Sequence, residues 1–150
     1  MIKTETEYQE CLRRLKQDLE VIEAQRRELS QMSLTAEEIE RALEPAYSFH
    51  EQLKEEVEWY ERVQRRDFQP VQNLRGLGQL LIALRIASGV KQAELARRLN
   101  VDVSMVSRDE RNEYHGISIE RAEKILNALD VHLVSRVEFP PVTEDQLAAV

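Results

Sequence analysis

KQAELARRLNVDVSMVSRDE, residues 91–110, contains two short stretches with helical spacing, separated by a turn at Asn100. Asparagine takes the left-handed conformation of a tight inter-helix turn more readily than most residues, and Asp102 is placed to cap the second helix. The small side chain of Ala96 lets two helices cross closely, and Val106 is the inward residue of the second helix. The stretch therefore predicts two short helices packed at a steep angle.

The segments on either side of this pair divide the chain. LRGLGQLLIALRIASG, residues 74–89, predicts another helix, which ends at Gly89, a residue type that commonly terminates helices. RRDFQPVQN, residues 65–73, precedes it, and Pro70 disfavours helix at the residue before it. We therefore expect three parts: a helical hairpin at 1–70, a domain at 71–130, and a strand with a tail at 131–150.

Residues 1–70 have the pattern of two long helices. Each opens with a capping box, in which a threonine and the glutamate three residues later satisfy free amides: Thr4 with Glu7, and Thr35 with Glu38. Apolar residues then recur at spacings of four and three, and the two rows match when the helices run antiparallel, pairing Tyr8 with Tyr60, Leu15 with Leu53, Ile22 with Ala46 and Leu29 with Ile39. This predicts an antiparallel coiled-coil hairpin, with a kink or break near Pro45.

VHLVSRVEF, residues 131–139, alternates between apolar and polar side chains. The apolar side is formed by Val131, Leu133, Val137 and Phe139. This period of two predicts one short β-strand, followed by a polar tail or short helix over 140–150. A single strand leaves its amides and carbonyls unpaired. We expect it to pair with its copy in a second subunit and give a two-fold dimer; the helical hairpin is the rival interface.

The net charge of −7 is unevenly divided along the chain. Residues 1–70 carry 11 basic and 17 acidic side chains, and residues 113–150 carry 3 and 7. Residues 73–112 reverse the balance, with 7 basic against 4 acidic side chains. This basic block coincides with the two short helices, which is where a nucleic-acid-binding surface would need it.

The sequence lacks the residues that several other classes of function require. No apolar run is long enough to span a membrane, and the N-terminus lacks the pattern of a signal peptide, so we expect a cytoplasmic protein. Cys11 is the single cysteine, and the three histidines fall in different elements. Because a glycine-rich phosphate loop is also missing, we expect neither an enzyme nor a metal or cofactor site.

GVKQAELARRLNVDVSMVSRDE, residues 89–110, resembles the helix-turn-helix of the XRE family, which includes Cro and the lambda-type repressors. The resemblance covers residues 74–130 and implies a domain of four to five helices. RNEYHGISIERAEKILNALDV, residues 111–131, would supply the closing helix, capped by Ser118, with a core face of Ile119, Ala122, Ile125, Leu126 and Leu129. The expected fold is mainly α: a helical hairpin, a lambda-repressor-like domain and one short strand.

The resemblance also implies roles for individual side chains. Arg108 would read a guanine through two hydrogen bonds, and Gln92 would contact a phosphate with its side chain and backbone amide. Arg85 and Glu110 would form an internal ion pair, which removes one acid from the groove. The residues facing base edges in the major groove would be Val103, Ser104, Ser107 and Arg108.

Phosphate contacts require basic side chains around the same face. The chain offers Lys91, Arg97, Arg98 and Arg111, with Arg75 near the start of the domain. Because these are few and the flanks are acidic, we expect weak non-specific binding and reliance on two domains acting together.

The sequence thus predicts a transcriptional regulator that reads a palindromic operator in duplex DNA as a homodimer. Repression is favoured over activation. The alternative is a HigA-like antitoxin, which would bind its operator and also hold a partner toxin through the hairpin. The sequence leaves this alternative open. A toxin would have to use the outer, charged face of the hairpin, since the apolar seam is buried internally.

Overall fold

The structure is a computed structural model that describes residues 1–139, and its regular elements are six helices. They are α1 (Glu5–Ser30), α2 (Ala36–Gln64), α3 (Leu77–Ala87), α4 (Gln92–Leu99), α5 (Val103–Arg111) and α6 (Ile119–Ala128). The mainly α fold is therefore confirmed. None of the helices in the described part combines the length and the apolar composition needed to cross a bilayer.

The first two helices form the expected antiparallel hairpin. Both capping boxes are present, and the rings of Tyr8 and Tyr60 stack at the open end with their centroids 4.8 Å apart. Near the turn, Arg26 forms an ion pair with Glu40. The side chains buried between the helices include Ile22, Ile39 and Tyr60, which belong to the predicted pairs.

Of the kink or break predicted near Pro45, the break is wrong, because α2 is continuous through this residue, and the kink stays a prediction. Pro45 lies on the exposed side of the helix, so water can satisfy the carbonyl of Arg41, which loses its amide partner. On the opposite side, Leu43 is almost completely buried against the rest of the hairpin. Packing of that face keeps the helix intact despite the missing hydrogen bond.

The hairpin and the helices α3–α6 share one hydrophobic core. Val57, Tyr60 and Val63 of α2 belong to the same buried cluster as Leu81 and Ile82 of α3. The chain before α1 takes part as well, since Ile2 is buried in this cluster and the carbonyl of Lys3 accepts a hydrogen bond from Arg85 Nη2 at 2.9 Å. The division into parts at residues 70 and 130 stays a prediction, but the core is continuous between the first two.

The closing helix α6 begins at the predicted cap, where the hydroxyl of Ser118 accepts a hydrogen bond from the amide of Arg121. Ala122, Ile125 and Leu129 are buried as expected. The expectation for Ile119 is wrong, because its side chain is 56% exposed. Ile119 stands in the first turn of α6, where the neighbouring helices leave it uncovered.

The predicted C-terminal β-strand is not found. Residues 131–139 form no ladder with any other described residue, and Val134, Val137 and Phe139 are 80–90% exposed. An alternating pattern becomes a strand only when a second strand supplies hydrogen-bond partners, and residues 1–139 of one chain offer none. The tail expected over residues 140–150 lies outside the described residues.

Candidate nucleic-acid interface

The turn between α4 and α5 has the geometry that its sequence predicts. Asn100 ends α4 in the left-handed conformation, with φ 53° and ψ 47°. The carboxylate of Asp102 then accepts a hydrogen bond from the amide of Ser104 at 2.8 Å and caps α5. Ala96 and Val106 are both buried where the two helices pack together. The outer face of α5 is thereby fixed in orientation relative to α4.

This outer face of α5 presents polar side chains and one cation. Val103, Ser104 and Arg108 are exposed and Ser107 is partly exposed, and at 100° per residue they occupy one side of the helix. Arg108 donates only a long hydrogen bond, 3.3 Å from its Nε to the carbonyl of Ser104. It forms no ion pair with any residue of the described chain, so its guanidinium can bind another acceptor. Met105, which the sequence interpretation did not single out, is also exposed.

Two of the three acids of the segment are engaged away from this face, and the third caps the start of α5. Glu110 is completely buried and forms an ion pair with Arg85, which donates from Nε to one carboxylate oxygen and from Nη2 to the other, the latter at 2.7 Å. Asp109 pairs with Arg121 of α6. The hydrogen bonds from Ser104 lower the pKa of Asp102, so this cap stays ionised. Two of the three acids thus add no free negative charge to the outer face of α5, and the charge of Asp102 stays at its N-terminal end.

Gln92, the predicted phosphate ligand, uses its side chain internally. Its Nε2 donates a hydrogen bond to Glu110 Oε2 at 2.8 Å. No side chain caps the helix that it begins, because Lys91 at the cap position makes no such bond. The first-turn amides of α4 are therefore free to bind a phosphate oxygen, an arrangement that helix N-termini favour.

The basic residues predicted to contact phosphates fall into two groups. Lys91, Arg111 and Arg75 are exposed and form no ion pair within residues 1–139. Arg97 and Arg98 both pair with Glu94, and Arg98 Nη1 also donates to the carbonyl of Ala128 at 2.8 Å. The role of Glu94 was missed in the sequence, although spacings of three and four residues between opposite charges on a helix would have indicated it.

Comparison with protein families gives one match: the sequence model of the helix-turn-helix family covers residues 81–135. The matched region begins inside α3 and ends beyond α6, so it contains α4, the turn and α5 completely. Comparison with curated proteins found no match, and comparison with solved structures found none either.

Proposed function

We propose that the protein is a transcriptional regulator, not an enzyme, that binds duplex DNA with α5 in the major groove, because residues 81–135 match the sequence model of the helix-turn-helix family. The observation that carries this proposal is the outer face of α5, where Arg108 is exposed and forms no ion pair within the described chain, while Glu110 is buried against Arg85 and Asp109 is paired with Arg121. An α-helix of this kind fits the major groove, and its exposed side chains reach base edges.

Arg108 is the residue proposed to determine sequence preference. Its guanidinium can donate two hydrogen bonds to the O6 and N7 atoms of guanine, which is worth about 1–3 kcal/mol of discrimination against other bases. Ser104 and Ser107 add shorter polar contacts, and Val103, which is 47% exposed, can contact a thymine methyl group. Free amides of α4, with Lys91 and Arg111, hold the phosphates on either side.

The protein acts as a repressor that binds a palindromic operator as a homodimer. A single α5 reads only a few base pairs, and the basic block is small, so two copies are needed for useful affinity. The exposed apolar side chains of residues 131–139 support an interface there; the hairpin is the alternative interface. A chain ending at Asp130 should sediment as a monomer, and an unchanged dimer would assign the interface to the hairpin.

The decisive experiment is footprinting of the DNA upstream of the protein's own gene. The wild-type protein should protect a palindromic site, and Arg108→Ala should lose this protection while its circular dichroism spectrum stays the same. Arg41→Ala is the matched control, since Arg41 is an exposed arginine of the hairpin, and it should protect the site normally. Equal protection by wild type and Arg108→Ala would remove Arg108 from the reading residues.

An antitoxin remains the second candidate function, and the surface of the hairpin favours it. Leu19, Val21 and Phe49 are large apolar residues that are each about half exposed. At 100° per residue, Leu19 and Val21 lie about 200° apart on α1 and face different sides of the helix, so Val21, away from the seam, is the residue that we expect a second polypeptide to contact. Co-expression with any small open reading frame that adjoins its gene tests this: a stoichiometric complex that is lost in Val21→Asp would support an antitoxin, and separate elution would contradict it.

A further inference from the structure

Glu94 binds two arginines of α4. Its carboxylate accepts hydrogen bonds from Arg97 Nε at 2.9 Å and Nη2 at 2.7 Å, and from Arg98 Nε at 2.8 Å. Arg97 thus offers the carboxylate two parallel N–H groups, which is also the geometry in which an arginine binds a phosphate. The hydrogen bonds from Arg97 and then Arg98 lower the pKa of Glu94 to about 2, so the carboxylate is charged under any ordinary condition.

The two arginines differ in their surroundings. Arg98 lies beside α6 and donates to the carbonyl of Ala128, so it has a structural role in addition to the ion pair. At 100° per residue, Arg97 lies on the side of α4 that faces away from α6. It follows Ala93 by one turn, so it is in line with the first turn of the helix, which no side chain caps. Its side chain is 73% exposed. Arg97 is therefore the arginine that can leave Glu94 without disturbing a contact between helices.

The ion pair between Glu94 and Arg97 contributes little to the stability of the fold, because exposed pairs are screened by water and salt. Its larger effect is on the availability of the guanidinium. We propose that Glu94 restrains the phosphate affinity of α4 by competing with DNA for Arg97. A phosphate gains the paired Nε and Nη2 donors of Arg97 only by displacing the carboxylate, so this contact is weaker than it would be without Glu94. The inference rests on the proposed DNA-binding function and makes Glu94 a residue that limits the sequence-independent part of the binding affinity.

The test measures binding of the full chain to a mixed-sequence duplex over a series of KCl concentrations. Glu94→Gln keeps the shape of the side chain and removes its charge. We expect about two- to fivefold tighter binding, in proportion to an exposed ion pair. The slope of log affinity against log salt should steepen by about 0.9, as for one added phosphate contact. Glu37→Gln is the control, since Glu37 pairs with Arg41 at 3.0 Å in the hairpin and its loss changes the net charge equally.

Arg97→Gln completes a double-mutant cycle with Glu94→Gln. If Glu94 acts through Arg97, the gain in affinity disappears in the Arg97→Gln background. Equal gains in both backgrounds, or equal gains from Glu94→Gln and Glu37→Gln, would overturn the proposal, since Glu94 would then act only as a repelling charge. A wild-type chain that binds no duplex of any sequence would contradict the proposed function, and this inference with it.

Discussion

Glu110 is the most deeply buried charge in the described chain, and its partners explain how it is tolerated. Both carboxylate oxygens receive hydrogen bonds from Arg85, and Gln92 donates another. Arg85 in turn donates to the carbonyls of Val90 and Lys3. The network joins α3, α4, α5 and the segment before α1, so it fixes their relative positions at one point.

Removing either Arg85 or Glu110 alone should lower the free energy of unfolding much more than removing both. Arg85→Met leaves the buried Glu110 uncompensated, and we expect a loss of about 3–5 kcal/mol in the free energy of unfolding. Arg85→Met combined with Glu110→Leu should recover most of that loss, because neither charge is then buried alone. Urea denaturation of the three proteins measures the difference. A loss below about 1 kcal/mol in the single variant would contradict this account.

His50 is a buried residue whose polarity has no visible benefit to the hairpin. It lies at a seam position, is 9% exposed, and its Nδ1 has no hydrogen-bond partner. His50→Leu should raise the free energy of unfolding by about 1 kcal/mol, because it removes an unsatisfied polar group and extends the apolar seam. Gln52→Leu, at an exposed position two residues away, should change stability by less than about 0.5 kcal/mol. Thermal unfolding distinguishes the two.

Among the elements, α3 approaches the loop after α5 closely at Gly78. A Cβ added to Gly78 would lie 1.8 Å from the carbonyl oxygen of Glu113. Gly78→Ala should therefore force the two segments apart and cost about 1–3 kcal/mol. Gly89→Ala is the control, since nothing lies within 4 Å of its added Cβ and only its φ of 66° is strained. If the packing clash outweighs backbone strain, chemical denaturation should show a larger loss in the free energy of unfolding for Gly78→Ala than for Gly89→Ala.

Local features of the helices could be predicted from the sequence because each depends on a few neighbouring residues. The caps at Thr4, Thr35, Asp102 and Ser118 and the turn at Asn100 are of this kind, and all are present. The ion pair of Arg85 and Glu110 came from the family resemblance, since residues 25 positions apart carry no periodic signal.

Features that depend on tertiary packing could not be predicted in this way. The burial of Ile2 follows from how the hairpin meets α3, and no local pattern indicates it. The internal hydrogen bond of Gln92 likewise depends on where Glu110 is placed. For residues 131–139, the alternating pattern indicated that a strand is possible but not whether the chain supplies a second one.

For the whole molecule, the shifted pKa values define how stability depends on pH. The pKa values of Glu38, Glu40, Glu94 and Asp102 are lowered by hydrogen bonds in the folded chain. The unfolded chain therefore binds protons first as the pH falls. This contribution to stability is complete above about pH 4.5, the range of unperturbed carboxyl groups, and is lost as the pH falls toward 2.

The loss of stability at alkaline pH has a different origin, the ionisation of a buried tyrosine. Burial raises the pKa of Tyr114 above its ordinary value, and the nearby negative charges of Glu110 and Asp109 raise it further. The unfolded chain then loses this proton first, so stability is present below about pH 10 and decreases as the pH rises further. Tyr114→Phe should leave stability at neutral pH nearly unchanged and move the alkaline unfolding transition to higher pH. An unchanged transition would assign it to other tyrosines.

The continuous core between the hairpin and α3 leaves no hinge between the two halves of the chain. Two copies joined through any fixed surface would therefore hold their recognition helices at one separation and one mutual angle. Each base pair inserted between half-sites rotates one of them by about a tenth of a helical turn, and a rigid pair cannot follow. If the protein binds DNA as the proposed homodimer, the operators that it occupies should therefore share a single spacer length.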